Sequence, residues 1–206
     1  EARGTGGLAG AFAVLTFDKG APSLDTLTTN LELHGASADI DLGPEFNNVY
    51  GYTNPYGDFR NSNMSAHFPN AAQIWRSMWQ QRSGANVDGV IALDPTALSY
   101  ILGALGPVTM PDGEKVTQEN VVQLTQNTVY IRFPEQTDQQ ARKEYLQTIA
   151  REIAKKATGA IPSPRTLLEA IGRAADGGHL SVWSSSPTDQ KLLEETPLAH
   201  TIPTDD

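Results

Sequence analysis

"VDGVIALDPTALSYILGALGPV", residues 87–108, decides the fold class. The run from Val87 to Leu93 is short, apolar and bounded by turn-forming residues, which predicts a strand covered on both faces. Asp94 and Pro95 then open a helix, because aspartate supplies an N-cap and proline fits the first helical position. That helix is expected to run through "TALSYILGALG". A strand feeding directly into a helix is the repeating unit of a layered α/β domain.

The same pattern continues on both sides. "GLAGAFAVLTF" (7–17) reads as small, apolar and then strand-like, "DKG" (18–20) as a turn, and "LTTNLEL" (27–33) as the hairpin partner. "NAAQIWRSMWQQR" (70–82) predicts a helix with Ala71, Ile74, Trp75 and Met78 on one face. Thr117 opens another helix. In "TDQQARKEYLQTIAREIAKKA" (137–157) Thr137 and Gln140 form a capping box, and Ala141, Tyr145, Ile149 and Ile153 repeat every four residues. Ser163-Pro164 and Ser186-Pro187 each start a helix, with a strand at "HLSVWS" (179–184) between them. Residues 35–69 are rich in Gly, Asn, Pro and Tyr with little periodicity, and loops that long are often functional. The expectation is one α/β domain over 1–206, three layers α-β-α around a central mixed sheet, with 35–69 as one wall of a cleft.

Composition narrows the function classes. The 206 residues suit a single core, and the formal charge of −9 with scattered basic residues argues against a nucleic-acid surface. With no cysteine there is no disulfide, thiolate nucleophile or cysteine-type zinc site. No apolar run reaches bilayer length. The chain opens at Glu1 without a methionine, so an N-terminal membrane anchor is expected ahead of it.

Candidate chemistry is sparse. His34, His67, His179 and His200 lack metal-ligand spacing, no nucleophile elbow occurs, and "GTGG" (4–7) lacks the preceding strand of a phosphate loop. Asp39 and Asp41, with Glu45, either hold a hard cation such as Mg2+ or are solvated loop carboxylates. A hydrolase built on Asp39, Asp41 and Asp58 ranks last. Asp94 ends a strand, where α/β sheets place their sites, but capping explains it better. Arg3, Arg60, Arg132 and Arg142 sit beside apolar or loop residues, where a guanidinium needs a partner, either a carboxylate or a bound phosphate. Tyr50, Tyr52, Tyr56 and Phe59 either stack on sugars or pin their loop.

"EARGTGGLAGAFAVLTFDKG", "FRNSNMSAHFPNAA", "VDGVIALDPTALSYILGALGPV" and "DGEKVTQENVV" together resemble the domain-of-unknown-function family 4012 of Gram-positive cell-envelope proteins. More distantly, the order of elements is similar to the LytR-CpsA-Psr phosphotransferases, which move glycopolymers from a polyprenyl-pyrophosphate lipid onto peptidoglycan. "VYIRF" (129–133) and "ARKEYLQTI" (141–149) match that family's arginine-bearing segment and helix. The resemblance implies that Arg3, Arg60, Arg132 and Arg142 hold a pyrophosphate, that Asn61, Asn63 and Lys143 assist, and that a carboxylate holds Mg2+. Three departures stand out, one being Lys143 at the second place of that family's Arg-Gln-Gln segment. Gly4 occupies the place of an aspartate, and "LHGAS" (33–37) the place of a Pro-Arg-Asp-Thr segment; Glu1, Asp39 or Asp41 would have to substitute.

The leading expectation is an extracytoplasmic, membrane-anchored protein that binds a polyprenyl-linked glycan or cell-wall polymer and transfers the glycan to a wall acceptor. The alternative, favoured by the missing aspartate, is a non-catalytic glycan- or protein-binding scaffold module of the envelope.

Overall fold

A computed structural model of the protein describes residues 2–134 and 138–202. In chain order the strands are β1 (Ala2–Arg3), β2 (Gly6–Gly7), β3 (Ala11–Asp18), β4 (Ala21–Thr29), β5 (Gly89–Leu93), β6 (Val108–Thr109), β7 (Lys115–Val116) and β8 (Leu180–Ser184). The helices are α1 (Gly43–Tyr50), α2 (Phe68–Ser83), α3 (Pro95–Leu105), α4 (Val121–Gln123), α5 (Val129–Arg132), α6 (Gln139–Ala157), α7 (Pro164–Asp176) and α8 (Pro187–Glu194). A π-helical turn, Leu124–Thr128, joins α4 to α5. The mixed α/β class therefore holds.

The expected central sheet is replaced by four two-stranded sheets among the described residues: β1-β2, β3-β4, β5-β8 and β6-β7. Most of this pairing is local. At the tip of β3-β4, Lys19 (φ 51) and Gly20 (φ 85) both adopt the left-handed conformation of a two-residue hairpin turn, so Asp18 pairs with Ala21 at once. The partner strand is thus 21–29, not 27–33, and Asn30–Leu33 form a 3-10 turn instead.

The chain folds as two compact units, one of residues 1–10, 30–92 and 175–206, the other of 11–29 and 93–174. In the first, α2 buries Phe68, Ala71 and Ala72 against Trp183 of β8, with Trp75, Val90 and Ala92 packed around them. The Trp75 indole donates to Ser62 Oγ (2.6 Å), and that hydroxyl donates to the Phe59 carbonyl (2.6 Å), so a hydroxyl that is 1% exposed is fully used. Strand β5 alternates exposed and half-buried positions, so it is not covered on both faces. Gly89 lets β5 approach β8, since a Cβ there would lie 2.8 Å from the Trp183 carbonyl oxygen.

Residues 35–69 carry more structure than their composition predicts. The φ of Gly43 is 89°, Pro44 follows at the start of α1, and Asp41 Oδ1 accepts from Gly43 N–H (2.9 Å) and from Asn47 Nδ2 (2.9 Å). Phe46 is buried and its ring packs on Tyr50 (5.1 Å) and Tyr56 (5.7 Å). The Tyr56 hydroxyl donates to Asn47 Oδ1 (2.9 Å) and accepts from Leu42 N–H (3.0 Å). In these contacts the rings at 50 and 56 pin the segment. Tyr52 is 87% exposed.

The second unit is built as its periodicity dictates. Ile149 and Ile153 of α6 enter a core with Leu102, Val108, Met110, Val116, Val121 and Leu124, and Tyr145 packs at its margin. Each buried isoleucine contributes about 1.5–3 kcal/mol of apolar transfer. Asp94 caps α3 as predicted, its Oδ1 accepting from Thr96 N–H (2.8 Å) and Ala97 N–H (3.0 Å). Thr137, half of the expected capping box, lies outside the described residues, as does Glu1. No helix among the described residues is long and apolar enough to cross a membrane.

Candidate functional site

A cleft of about 540 Å³ belongs to the first unit. One wall is the polar stripe of α2: Gln73, Arg76, Ser77, Gln80 and Gln81, set at one-turn spacing opposite the apolar face that packs on Trp183. Asp39 and Ile40 of the preceding segment and Trp183 and Ser185 of the β8 end complete it. Two contacts fix these walls. Ser77 Oγ accepts the Asp39 N–H (2.8 Å), and Arg76 Nε donates to the Val87 carbonyl (2.8 Å) while its guanidinium lies 6.0 Å from the Trp183 ring centroid. Of residues 35–69, expected to form one wall of a cleft, Asp39 and Ile40 line this one. The sequence reading passed over the α2 stripe, although polar residues at 73, 76, 77, 80 and 81 are its helical signature.

Of the residues expected to bind phosphate, Arg3, Arg60, Asn61 and Asn63 lie in the first unit and Arg132, Arg142 and Lys143 in the second. Arg60 forks onto Asp58, with Nε–Oδ1 at 2.9 Å and Nη2–Oδ2 at 2.6 Å, and that hydrogen bond chiefly holds the Asp58 carboxyl below its ordinary range. Arg132 forks onto Glu114 in the same way, Nη1–Oε2 2.9 Å and Nη2–Oε1 2.6 Å. The Tyr145 hydroxyl donates to Glu114 Oε2 (2.7 Å). Arg132 lowers the Glu114 carboxyl, while burial first and Glu114 second push the Tyr145 hydroxyl up to about 12. In each pair the carboxylate takes two sides of the guanidinium, while the arginine side chains stay 72% and 41% exposed.

Arg142 is 7% exposed on α6, with its guanidinium 5.0 Å from the Tyr130 ring centroid. Lys143 beside it is half-buried. Asn61 Nδ2 donates to the Thr53 carbonyl (2.7 Å). Asn63 is 1% exposed and its Nδ2 donates to the Gly7 carbonyl (3.0 Å), tying the amino-terminal hairpin β1-β2 to the chain before α2. Arg3 is half-buried in that hairpin.

Gly4, between the two strands, is pressed onto backbone. A Cβ built there would fall inside the Met64 carbonyl oxygen and the Ser65 carbonyl carbon, and 2.6 Å from Ala66 N. No side chain fits, so no carboxylate can stand at this place. Asp39 lines the cleft, and Asp41 is held below the usual carboxylate range by the Gly43 amide and then Asn47. Among the described residues no three His, Asp or Glu side chains gather to hold a metal ion.

A family model described as "Protein of unknown function (DUF4012)" matches residues 1–130. The chain belongs to that family. No curated protein and no solved structure matches it. The DUF4012 match takes in Gly4, Asn63 and the α2 stripe, whereas Arg132, Arg142, Lys143 and Trp183 follow it.

Proposed function

We propose that this DUF4012 chain is a non-catalytic binding module of the cell envelope, whose ligand is a cell-wall glycan. The observation that carries the reading is the closed backbone at Gly4. Phosphoryl transfer of the LytR-CpsA-Psr type depends on positioned positive charge and a metal-held phosphate. On that resemblance Gly4 stands at the place of the metal-ligating aspartate and admits no side chain, and Arg60 and Arg132 are each paired with a carboxylate. Recognition without transfer asks for neither. An extracytoplasmic location and an N-terminal anchor in the full-length protein belong to the same proposal.

The test is co-sedimentation of the purified chain with insoluble cell-wall polymer, with magnesium or with chelator, beside an assay for glycan release from a short-chain polyprenyl pyrophosphate. Equal retention in both conditions with no release is expected. Magnesium-dependent glycan release would overturn the reading.

One observation favours the transferase reading: Arg142, a basic residue only 7% exposed on α6. In that case Arg132 and Arg142 of the second unit would hold a pyrophosphate, assisted by Lys143. A magnesium-dependent rise in melting temperature with polyprenyl pyrophosphate, lost in Arg142→Ala, would select it.

A further inference from the structure

We infer that the cleft on the polar face of α2 is a sugar-binding site, one that takes a short stretch of an uncharged glycan. The inference rests on the glycan-binding reading above and assigns that reading a place and a ligand chemistry.

Size comes first. Ligand sites of small molecules usually fall between about 300 and 1,000 Å³. The α2 cleft, at about 540 Å³, lies within that range, while the depression beside Met110 and Tyr145 in the second unit, at about 220 Å³, lies below it.

Charge comes next. The cleft is lined by one acid, Asp39, and one base, Arg76. A phosphate or an acidic polymer would meet the Asp39 carboxylate, and Arg76 already spends its Nε–H on the Val87 carbonyl. The balance fits a ligand with no net charge.

Hydrogen-bonding type then separates sugars from other neutral ligands. Every sugar hydroxyl both donates and accepts, so its best partners are side chains that also do both. Gln73, Gln80 and Gln81 carry amides and Ser77 and Ser185 carry hydroxyls; Gln73 Nε2 already donates to the Pro69 carbonyl (3.1 Å) and the buried Ser77 Oγ accepts the Asp39 N–H, so Gln80, Gln81 and Ser185 are the chief groups for a sugar. An apolar peptide side chain would strand these groups. Ile40 and the small part of Trp183 left open to the cleft, a residue 8% exposed whose ring centroid lies 6.0 Å from the Arg76 guanidinium, supply the apolar part of the lining for the C–H face of a pyranose.

Rigidity is the last argument. The amide of Asp39 is tied to Ser77, and Arg76 is tied to Val87 and lies by Trp183. The walls are set before a ligand arrives, which limits the ordering cost of binding. Gln80 and Gln81 stay exposed at the rim, so they are the groups left to close on a ligand.

The experiment is titration of the full chain with neutral trisaccharides of glucose, mannose and N-acetylglucosamine, followed by tryptophan fluorescence and by the side-chain amide resonances of glutamine. Inorganic pyrophosphate and trialanine serve as comparison ligands. Gln80→Ala/Gln81→Ala is the cleft variant; both positions are exposed and alanine favours the helix. Arg165→Ala, on α7 with its side chain 90% exposed, is the control.

At least one trisaccharide is expected to bind, to shift the glutamine amides, and to weaken about tenfold in the double variant while the control is unchanged. Trisaccharide binding that the double variant leaves intact would overturn this site and spare the glycan-binding reading. Tighter binding of pyrophosphate or trialanine at the cleft would overturn the ligand class. No binding of any sugar, together with no retention on wall polymer, would overturn both.

Discussion

Replacing Gly4 by alanine tests the packing on which the functional reading stands. The added Cβ meets backbone atoms of Met64, Ser65 and Ala66, which cannot swing aside as a side-chain tip does. Forcing that overlap into place costs about 1–3 kcal/mol by the usual measure of overpacking. The alternative is to lift the β1-β2 hairpin away. That breaks the Asn63 Nδ2–Gly7 carbonyl bond (3.0 Å) and the Thr5 N–H–Asn63 carbonyl bond (3.4 Å), and strands a polar amide that is 1% exposed. A stranded buried polar group costs about 1–3 kcal/mol as well. Alanine also restricts the unfolded chain, which returns about 0.4–1 kcal/mol. The net loss is therefore about 1–2 kcal/mol, and about 2–8 °C in melting temperature for a chain of this size. Gly4→Asp should lose more, because it adds a carboxylate at the same place. Urea unfolding and hydrogen exchange at the Thr5 amide and the Asn63 side-chain amide together register both routes. A Gly4→Ala protein with unchanged midpoint and unchanged exchange at those amides would refute the packing, and with it the argument that an aspartate is sterically barred.

Other predictions follow from the same contacts. Tyr145 should ionise near pH 12, and Glu114→Gln should bring its ultraviolet titration back toward the ordinary value near 10, since Glu114 is one of the two forces raising it. Because the folded state holds that proton more tightly, its share of stability is complete below pH 10 and lost as pH rises through about 12, which alkaline unfolding midpoints will show. His67 Nδ1 accepts the Ile202 N–H (3.2 Å), and burial, opposed by Glu194, holds its imidazole below the usual value. Its contribution is therefore present above about pH 6.5 and lost as pH falls through the folded value. Amide exchange at Ile202 should accelerate over that acid range in the wild type and at all pH in His67→Ala. Lys19 sits at φ 51, where asparagine and glycine are at home, so Lys19→Asn should raise stability by about 0.5–1 kcal/mol in urea unfolding. A decrease would mean that the turn is not of the two-residue kind.

The parts of the fold legible in the sequence were those governed by local chemistry. Asp94-Pro95, Ser163-Pro164 and Ser186-Pro187 each begin a helix, and the four-residue spacing of Tyr145, Ile149 and Ile153 named the buried face of α6. Long-range facts were not legible. Helix α1 was lost among Gly, Asn and Tyr because its start is set by Gly43 and the Asp41 side chain and not by an apolar stripe. A guanidinium in an apolar setting announces that it needs a partner without naming it. Arg132 finds Glu114, eighteen positions away, and Arg60 finds Asp58, two away. The cleft was half legible. Its α2 stripe is written at helical spacing, while Asp39 and Trp183 are brought to it only by folding.

The division of the chain carries a consequence for its synthesis. The first unit is assembled from three separated stretches, and the last begins at Ala175. On a ribosome adding about 5–20 residues per second, the interval between completing β5 and delivering Trp183 is about 5–20 s. Through that interval the side of α2 bearing Phe68, Ala71 and Ala72 has no indole to cover it. The second unit, whose final stretch is finished at Ala174, has all of its residues sooner although it starts later. A nascent chain halted before Trp183 has left the ribosome should therefore expose an apolar helix face that chaperones or proteases recognise, and the released full chain should not.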